Sequence, residues 1–390
     1  MTRLISDELP VGSSSLVLCG ITPYYIIAVY RPFLRVNFNH FQKKCYCGCF
    51  SNIFSYICYK SHFVHEMTYV ELPHEKLYGL PFYLAMEEHI ARVMPAQDYF
   101  FMWQVAPTVI FGRNQLLDTE VDTEFCKRNG IEFYRRKSGG GCVYADNGNI
   151  MLSYITPDTN VNFTFNRYML MVEHALCKLG IEAKSTGRND ILIGGRKVSG
   201  NAFYHLPERS IVHGTMLYDT NLEYMTGATT PSQAKLKSKG VESVRQHVTT
   251  LKEHISLGID EFKKYLRDAL CGDTLVLTAD DVAAIEGLAE FYTSPDFIQG
   301  CNPASAFSRS ARIEGVGEVA VYIEVKEGMI RKMNLSGDFF IVGDIDAMLA
   351  GKLRGVPFER SAVEAAIAAV DCRNVILNLR NEELINLIFD

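Results

Sequence analysis

The chain has 390 residues, of which 48% are hydrophobic and 22% charged, with a formal net charge of −6. That is an ordinary globular balance; it excludes a wholly disordered chain, and at ~150 residues per domain it provides for two domains or three. Eleven cysteines are too few for a disulfide-dense scaffold of this length, and the acidic balance excludes a broad basic surface for nucleic acid.

The averages conceal a break at Met67. Residues 1–66 hold five of the eleven cysteines (Cys19, Cys45, Cys47, Cys49, Cys58), and their three acids stand against six bases, so this segment is +3 and the rest is −9. Leu9 to Tyr30 has no charged side chain and the length of a membrane span. Pro10, Gly12, Gly20, Pro23 and three successive serines argue against a span. Arg3 before an apolar run resembles a signal peptide, but no small-x-small cleavage site follows. Cys45-Tyr-Cys-Gly-Cys lacks the spacing of a structural zinc site. Aromatic residues occur without a sustained period of 2.0 or 3.6. The expectation is that residues 1–66 are an atypical extension and that translation of the native protein begins at Met67.

From Met67 the sequence is regular. Thr68 to Leu72 predicts a strand. Pro81 to Val93 predicts a helix, with Pro in its first turn, Leu84, Ile90 and Val93 on one face, and Glu87 and Glu88 outside. Phe100–Val105, Thr108–Phe111, Ile131–Arg135 and Asn149–Ile155 predict strands. Asp122 caps a helix that Gly130 ends, and Phe165–Leu179 predicts a helix stopped by Gly180. Gly194-Gly195 joins two short strands as a tight hairpin, since both turn positions accept positive φ. Ser210–Leu217 predicts the next strand, and two helices follow, over Ile259–Leu270 and Ala279–Phe291. The last ~100 residues read as a smaller unit. In it Val319–Glu324 and Met329–Leu335 form a hairpin at Glu327-Gly328, and helices follow over Ile345–Ala350 and Ala362–Ala369. Strands and helices alternate irregularly, which predicts an α+β fold over a doubly wound sheet.

Four segments carry chemistry. Arg135-Arg136-Lys137-Ser138-Gly139-Gly140-Gly141 follows a strand and precedes Cys142-Val143-Tyr144. Three glycines leave backbone N–H groups uncovered for an anion, and Arg136 and Lys137 add positive charge, which suits a phosphate or a carboxylate. No Gly-Lys-Ser/Thr closes the segment, so it is not a P-loop, and it lacks the G-x-G-x-x-G spacing. The plain alternative is a glycine turn beside a solvated basic cluster. Gly187-Arg188-Asn189-Asp190 opens the strand entering the hairpin. Asp190 suits Mg²⁺ or a proton from an incoming amine, Asn189 suits a hydrogen bond to a ligand, and the plain alternative is a turn. Arg196-Lys197-Val198-Ser199-Gly200 lies on the return strand, where Val198 in the core would put Lys197 and Ser199 together on the other face. The hairpin brings Lys197 and Asp190 near one another. His213-Gly214-Thr215 lies inside a strand, where glycine marks the close approach of a ligand or of backbone.

From Met67 onward this pattern resembles the lipoate–protein ligases. Members of this fold superfamily include biotin–protein ligases and octanoyltransferases. The matching pieces are Pro81-Phe-Tyr-Leu-Ala-Met-Glu-Glu, Gly112-Arg-Asn-Gln, Arg135-Arg-Lys-Ser-Gly-Gly-Gly, Gly148-Asn149, Gly187-Arg-Asn-Asp, Arg196-Lys-Val-Ser-Gly, His213-Gly-Thr, Lys235-Leu-Lys-Ser-Lys-Gly-Val-Glu-Ser-Val and Ser243-Val-Arg. The resemblance implies a large α+β catalytic domain over 67–292, with mixed sheets and packed helices, and a small α+β accessory domain over 293–390. Gly337-Asp338-Phe339-Phe340 and Leu349-Ala-Gly-Lys-Leu match the later part of the accessory domain. Its usual Trp-rich entry is replaced by Phe291-Tyr292-Thr293 to Gly300, and Trp103 is the only tryptophan.

The implied activity has two halves. ATP and lipoate give lipoyl-adenylate and pyrophosphate, and the lipoyl group then passes to a lysine of an apo lipoyl domain. Implied acceptors are the E2 component of 2-oxoacid dehydrogenases and the glycine cleavage H protein. By resemblance Arg136 and the loop Gly139, Gly140, Gly141, Cys142, Val143 and Tyr144 hold the nucleotide and the adenylate. Lys197 contacts carboxylate and phosphate. Asn189 and Asp190 bind the nucleotide side and Mg²⁺, and Asp190 also helps deprotonate the amine. Ser138, His213 and Thr215 line the adenylate pocket, and Val143 or Met86 would wrap the aliphatic tail. Cys142 stands where the ligases usually carry Ala. It reads as a small pocket residue, the alternative being the nucleophile of an acyltransferase, whose cysteine lies elsewhere in the chain. The accessory domain is expected to swing when the adenylate forms.

A same-fold alternative is an ATP-independent octanoyl or lipoyl transferase. Biotin ligation is disfavoured by the absence of a Gly-Arg-Gly-Arg loop. A binding protein without catalysis is disfavoured by the presence of both Lys197 and Asp190. The expected location is the cytoplasm, with no tightly bound cofactor, no nucleic acid and no membrane.

Overall fold

A computed structural model of the chain describes residues 67–229, 247–300 and 307–390. The charge-free run Leu9 to Tyr30, the cluster Cys45 to Cys58 and the motif Lys235 to Arg245 lie outside the described residues.

In chain order the first elements are β1 (Met67–Glu71), α1 (Leu80–Val93), β2 (Tyr99–Trp103), β3 (Thr108–Phe111), α2 (Thr123–Asn129), β4 (Glu132–Arg135), β5 (Val143–Ala145), β6 (Asn149–Thr156) and α3 (Val161–Lys178). There follow β7 (Ala183–Ser185), β8 (Asp190–Ile193), β9 (Arg196–Leu206), β10 (Arg209–Leu217), α4 (Leu222–Ala228), α5 (Ile259–Leu270), β11 (Cys271–Val276) and α6 (Ala279–Thr293). The C-terminal part holds β12 (Phe307–Ile313), β13 (Gly317–Lys326), β14 (Met329–Gly337), α7 (Arg360–Ile367) and α8 (Asn381–Phe389).

Eight strands form one mixed sheet in the order β11-β1-β2-β6-β10-β9-β8-β7, and β4-β3-β5 and β12-β13-β14 form two smaller sheets. The fold is therefore α+β. β1 is parallel to β11 and β2, and the other neighbours in the large sheet are antiparallel. Three apolar cores follow the three sheets. One lies where α1 and α6 pack on the large sheet, one in the small sheet β4-β3-β5, and one inside the C-terminal part.

Sequence pattern explains most of this. Asp122 accepts from the Phe125 N–H and Gly130 closes α2 in the left-handed region. Gly194 and Gly195 take φ of 56° and 78°, and the hairpin β8–β9 forms around them as expected. The elements not legible in the sequence include β5, β7, β11, β12, α4 and α8. β5, β7 and α4 are too short to show a period, and β11 and β12 are largely exposed.

Two expectations are corrected. Glu87 and Glu88 do not face solvent: every residue of α1 from Leu80 to Ala91 is buried, because the helix is covered on both sides, and its exposed residues are the last two, Arg92 and Val93. The two acids are kept there by partners, as buried charges require. Lys197 and Ser199 do not share a face. A register shift sets Ile191 opposite Ser199 but Leu192 opposite Lys197, so Val198 is the extra residue of a β-bulge and the alternation breaks there.

Candidate active site

The hairpin supplies the centre of the site. Lys197 Nζ lies 2.7 Å from the Asp190 carboxylate, and both side chains are largely buried. Gly200 makes the pairing possible, since a Cβ there would fall 2.4 Å from Lys197 Nζ. The lysine backbone is fixed by the Thr249 N–H, which donates to its carbonyl. Asn189 interlocks with Asn201: its Nδ2 donates to the Asn201 carbonyl, and its own carbonyl accepts from Asn201 N–H and Nδ2. Thr215 stands opposite Gly200, and its hydroxyl accepts from the Gly200 N–H at 3.3 Å.

The glycine segment lies across from the hairpin, between β4 and β5. Arg136 is buried, and its guanidinium donates to the carbonyls of Ile110, Gly139 and Gly141 and to Ser138 Oγ. Burial pulls its pKa down to about 10, which leaves it protonated at neutral pH. Its position is that of a brace inside the loop. Lys137 turns the other way. Its Nζ lies 2.5 Å from Glu88 and over the rings of Phe291 and Tyr292. Ser138 Oγ is 2.7 Å from His213 Nε2, and His213 Nδ1 is 2.9 Å from Glu87.

The outer side of the loop meets the C-terminal part. The Gly140 N–H donates to the Phe339 carbonyl at 3.2 Å, and the Gly337 N–H to the Asn114 carbonyl at 2.9 Å. A Cβ on Gly139 would fall 2.4 Å from that Phe339 oxygen. Arg188 Nη2 donates to the carbonyls of Val316 and Asp338, and the Asp338 carboxylate lies 3.7 Å from both Arg188 and Arg312.

Between these pieces is a cavity of ≈ 180 Å³ lined by apolar residues, among them Leu84, Trp103, Ile110, Val143, Met151 and Leu217, and by charged ones, among them Arg188, Asp190, Lys197, Arg312 and Asp338. Across the large sheet the register runs Trp103, Met151, Thr215, Gly200, Asp190, so Trp103 and Met151 mark an apolar end and Asp190 with its partner Lys197 a charged one. A carboxylic acid with an apolar tail fits such a cavity, its carboxylate at the charged end beside a phosphate. Val143 lines the cavity. Met86, on α1, is buried in the core and does not line the cavity, so that expectation is corrected. Cys142 and Tyr144 also line the cavity, whereas Ser138 sits behind it. Glu87, Arg188, Arg312 and Asp338 were not among the expected site residues. Glu87, Arg188 and Asp338 stand inside motifs shared with the ligases, so a signal existed; for Arg312 there was none.

Among the described residues no group of three His, Cys, Asp or Glu is placed to hold a metal. The one carboxylate of Asp190 suits a hard cation that arrives with other oxygen ligands. No helix among the described residues is long and apolar enough to cross a membrane.

Residues 81–271 match the Lipoyl protein ligase A/B catalytic domain, and residues 302–388 match the Bacterial lipoate protein ligase C-terminus. Lipoate–protein ligase 1 of Staphylococcus aureus is 36% identical over 313 residues, covering 78% of this chain and 95% of the relative. Among solved structures, P. falciparum LipL1 in complex with lipoate superposes with a TM-score of 0.64 at 18% identity, over 82% of this chain and 97% of that one. Lipoate–protein ligase A bound with ATP superposes with a TM-score of 0.51 at 22% identity, over 61% of this chain and 99% of that one. The two structural likenesses show the fold.

Proposed function

The chain belongs to the lipoate–protein ligase family, and from that premise we propose that it activates lipoate with ATP and passes the lipoyl group to a lysine of an apo lipoyl domain. The observation that carries the reading is the two-ended cavity, with the Asp190–Lys197 pair at its charged end and the glycine loop beside it.

A carboxylate is a poor acyl donor, and adenylation converts it into a mixed anhydride. The first step joins a carboxylate oxygen to the α-phosphorus and releases pyrophosphate. It demands charge stabilisation on phosphate oxygens more than a protein nucleophile. Lys197 is the cation for both halves of the reaction, because it can touch the acid and the phosphate. Arg136 holds the loop carbonyls so that N–H groups of the loop face outward for the nucleotide. Ser138, His213 and Thr215 shape the adenylate pocket. Asn189 supports the Asp190 strand, and Cys142, Val143 and Tyr144 form the wall after the loop. Asp190 would hold Mg²⁺, which when bound screens the triphosphate charge, and in the second step Asp190 takes the proton from the attacking amine. That amine forms an amide with the lipoyl carbonyl, and AMP leaves.

The Phe339 carbonyl now occupies the Gly140 N–H, so the segment 337–340 leaves the loop when a nucleotide enters. Acceptors of the proposed class are the E2 lipoyl domains of 2-oxoacid dehydrogenases and the H protein, and the proposed location is the cytoplasm. The ATP-independent transferase reading is disfavoured by the C-terminal match and by the relative named a ligase. A pyrophosphate–ATP exchange assay tests the proposal. Exchange that depends on lipoate is expected, and its absence with active protein would sink the ligase reading.

A further inference from the structure

Glu87 is completely buried in α1, and it has no part in the proposed chemistry. Its oxygens meet two donors. His213 Nδ1 lies 2.9 and 3.0 Å from them, and Ser153 Oγ donates to Oε1 at 2.6 Å. Ser153 in turn accepts from Trp103 Nε1 at 2.9 Å. On the far side of the imidazole stands Ser138 Oγ, which accepts from Arg136 Nε at 2.9 Å. The Nη2 of the same guanidinium holds the Gly139 and Gly141 carbonyls at 2.7 and 2.8 Å. A continuous chain of hydrogen bonds thus links Trp103, in the apolar wall of the cavity, to the glycine loop.

The roles in this chain follow from the chemistry of its groups. A carboxylate only accepts, so His213 must carry its proton on Nδ1, and Nε2 of the neutral ring is then an acceptor. Ser138 gives its hydroxyl proton to Nε2 and keeps a lone pair for Arg136. That keeps Arg136 aimed at the two glycine carbonyls. In a trans peptide C=O and N–H point opposite ways, and no described peptide is cis. The N–H groups of Gly140 and Cys142 therefore point away from Arg136. The Gly140 N–H is the one that now meets Phe339.

We propose that Glu87 is a positioning residue for the adenylation step: it fixes the tautomer of His213, through it the hydroxyl of Ser138, and so the direction of the loop N–H donors. The proposal rests on the reading of this site as one that forms an adenylate. It does not make Ser138 a nucleophile, because that side chain is buried behind the cavity and already serves Arg136.

The experiment has two arms. In the first, ¹⁵N NMR of histidine-labelled protein, assigned with His213→Gln, reads the two ring nitrogens of His213 in the unmodified chain. A proton on Nδ1 and a bare Nε2 are expected; the opposite tautomer overturns the proposal. This arm needs no turnover, so it judges the relay even if no carboxylic acid supports pyrophosphate release and the functional reading falls. In the second arm, Glu87→Gln offers one acceptor and one donor group where two donors now meet two acceptor oxygens. It should lower the rate of pyrophosphate release about ten- to a hundredfold, the range for losing one hydrogen bond to a charged group. The effect should fall on kcat more than on the KM for lipoate. In a Ser138→Ala background the same substitution should have almost no further effect, since the relay is already cut. Independent, multiplying losses would overturn the proposal. If Glu87→Gln does not fold, Glu87→Asp, which keeps the charge and withdraws it by one methylene, enters the same cycle.

Discussion

Two segments of this molecule look alike in sequence, each placing a lysine next to successive glycines, and the structure uses them in opposite ways. In Gly194-Gly195-Arg196-Lys197 a Cβ on either glycine would meet nothing within 4 Å. Glycine is there for its positive φ, and the turn delivers Lys197 to the cavity. In Lys137-Ser138-Gly139-Gly140-Gly141 the lysine leaves the cavity for Glu88, and Gly139 is there because Phe339 comes too close for any side chain. The first segment is local conformation; the second is a surface made to be covered.

The largest effect that would break or sharpen this contrast is at the two lysines. Lys197→Ala should lower lipoate-dependent pyrophosphate release by roughly 10²–10³-fold, as for removal of one preorganised donor to a charged transition state. Its urea midpoint should stay close to that of the parent. Lys137→Ala should do the reverse. Comparable activity losses in both variants would erase the distinction between the two segments.

The glycines come next. Gly139→Ala forces a methyl into the Phe339 carbonyl and should cost about 1–3 kcal/mol of stability, the range for overpacking. Limited proteolysis should then cut more readily around 337–340. Gly195→Ala meets no neighbour and should cost only about 1 kcal/mol, for a left-handed backbone. If Gly195→Ala proved the costlier of the two, the covered-surface account of the loop would be wrong.

The hairpin, its turn and the Asp190–Lys197 pair were legible because they are local: a two-residue glycine turn dictates which residues oppose each other. Even there the bulge at Val198 was hidden, since nothing in five residues states a register shift. The glycine loop was legible as an anion site but not as a docked one. Its cover comes from residues some 200 positions later in the chain, and no local period records such a contact. The acids of α1 were misplaced for a related reason. A helix covered on both sides has no solvent face, so polarity at Glu87 and Glu88 signals buried partners, His213 and Lys137, in place of exposure.

The smallest expected effect concerns the second of those acids. Burial alone would raise the Glu88 carboxyl, but Lys137 and Arg92 outweigh it and hold the pKa below its ordinary 4.5. A carboxyl lowered in the folded state contributes stability above the unfolded value, and that contribution fades as pH falls through the lowered one. Lys137→Ala removes one of the two cations and leaves the burial in place. The carboxyl should then move upward, the variant should lose about 1 kcal/mol at neutral pH, and its deficit against the parent should close as pH falls through the parent's lowered value, so that the acid limb of the variant is the shallower of the two. Denaturation midpoints followed from neutral pH down to about 3 would show it. Two curves with the same acid limb would mean that Arg92 alone holds Glu88, and Lys137 would then be available to the nucleotide after all.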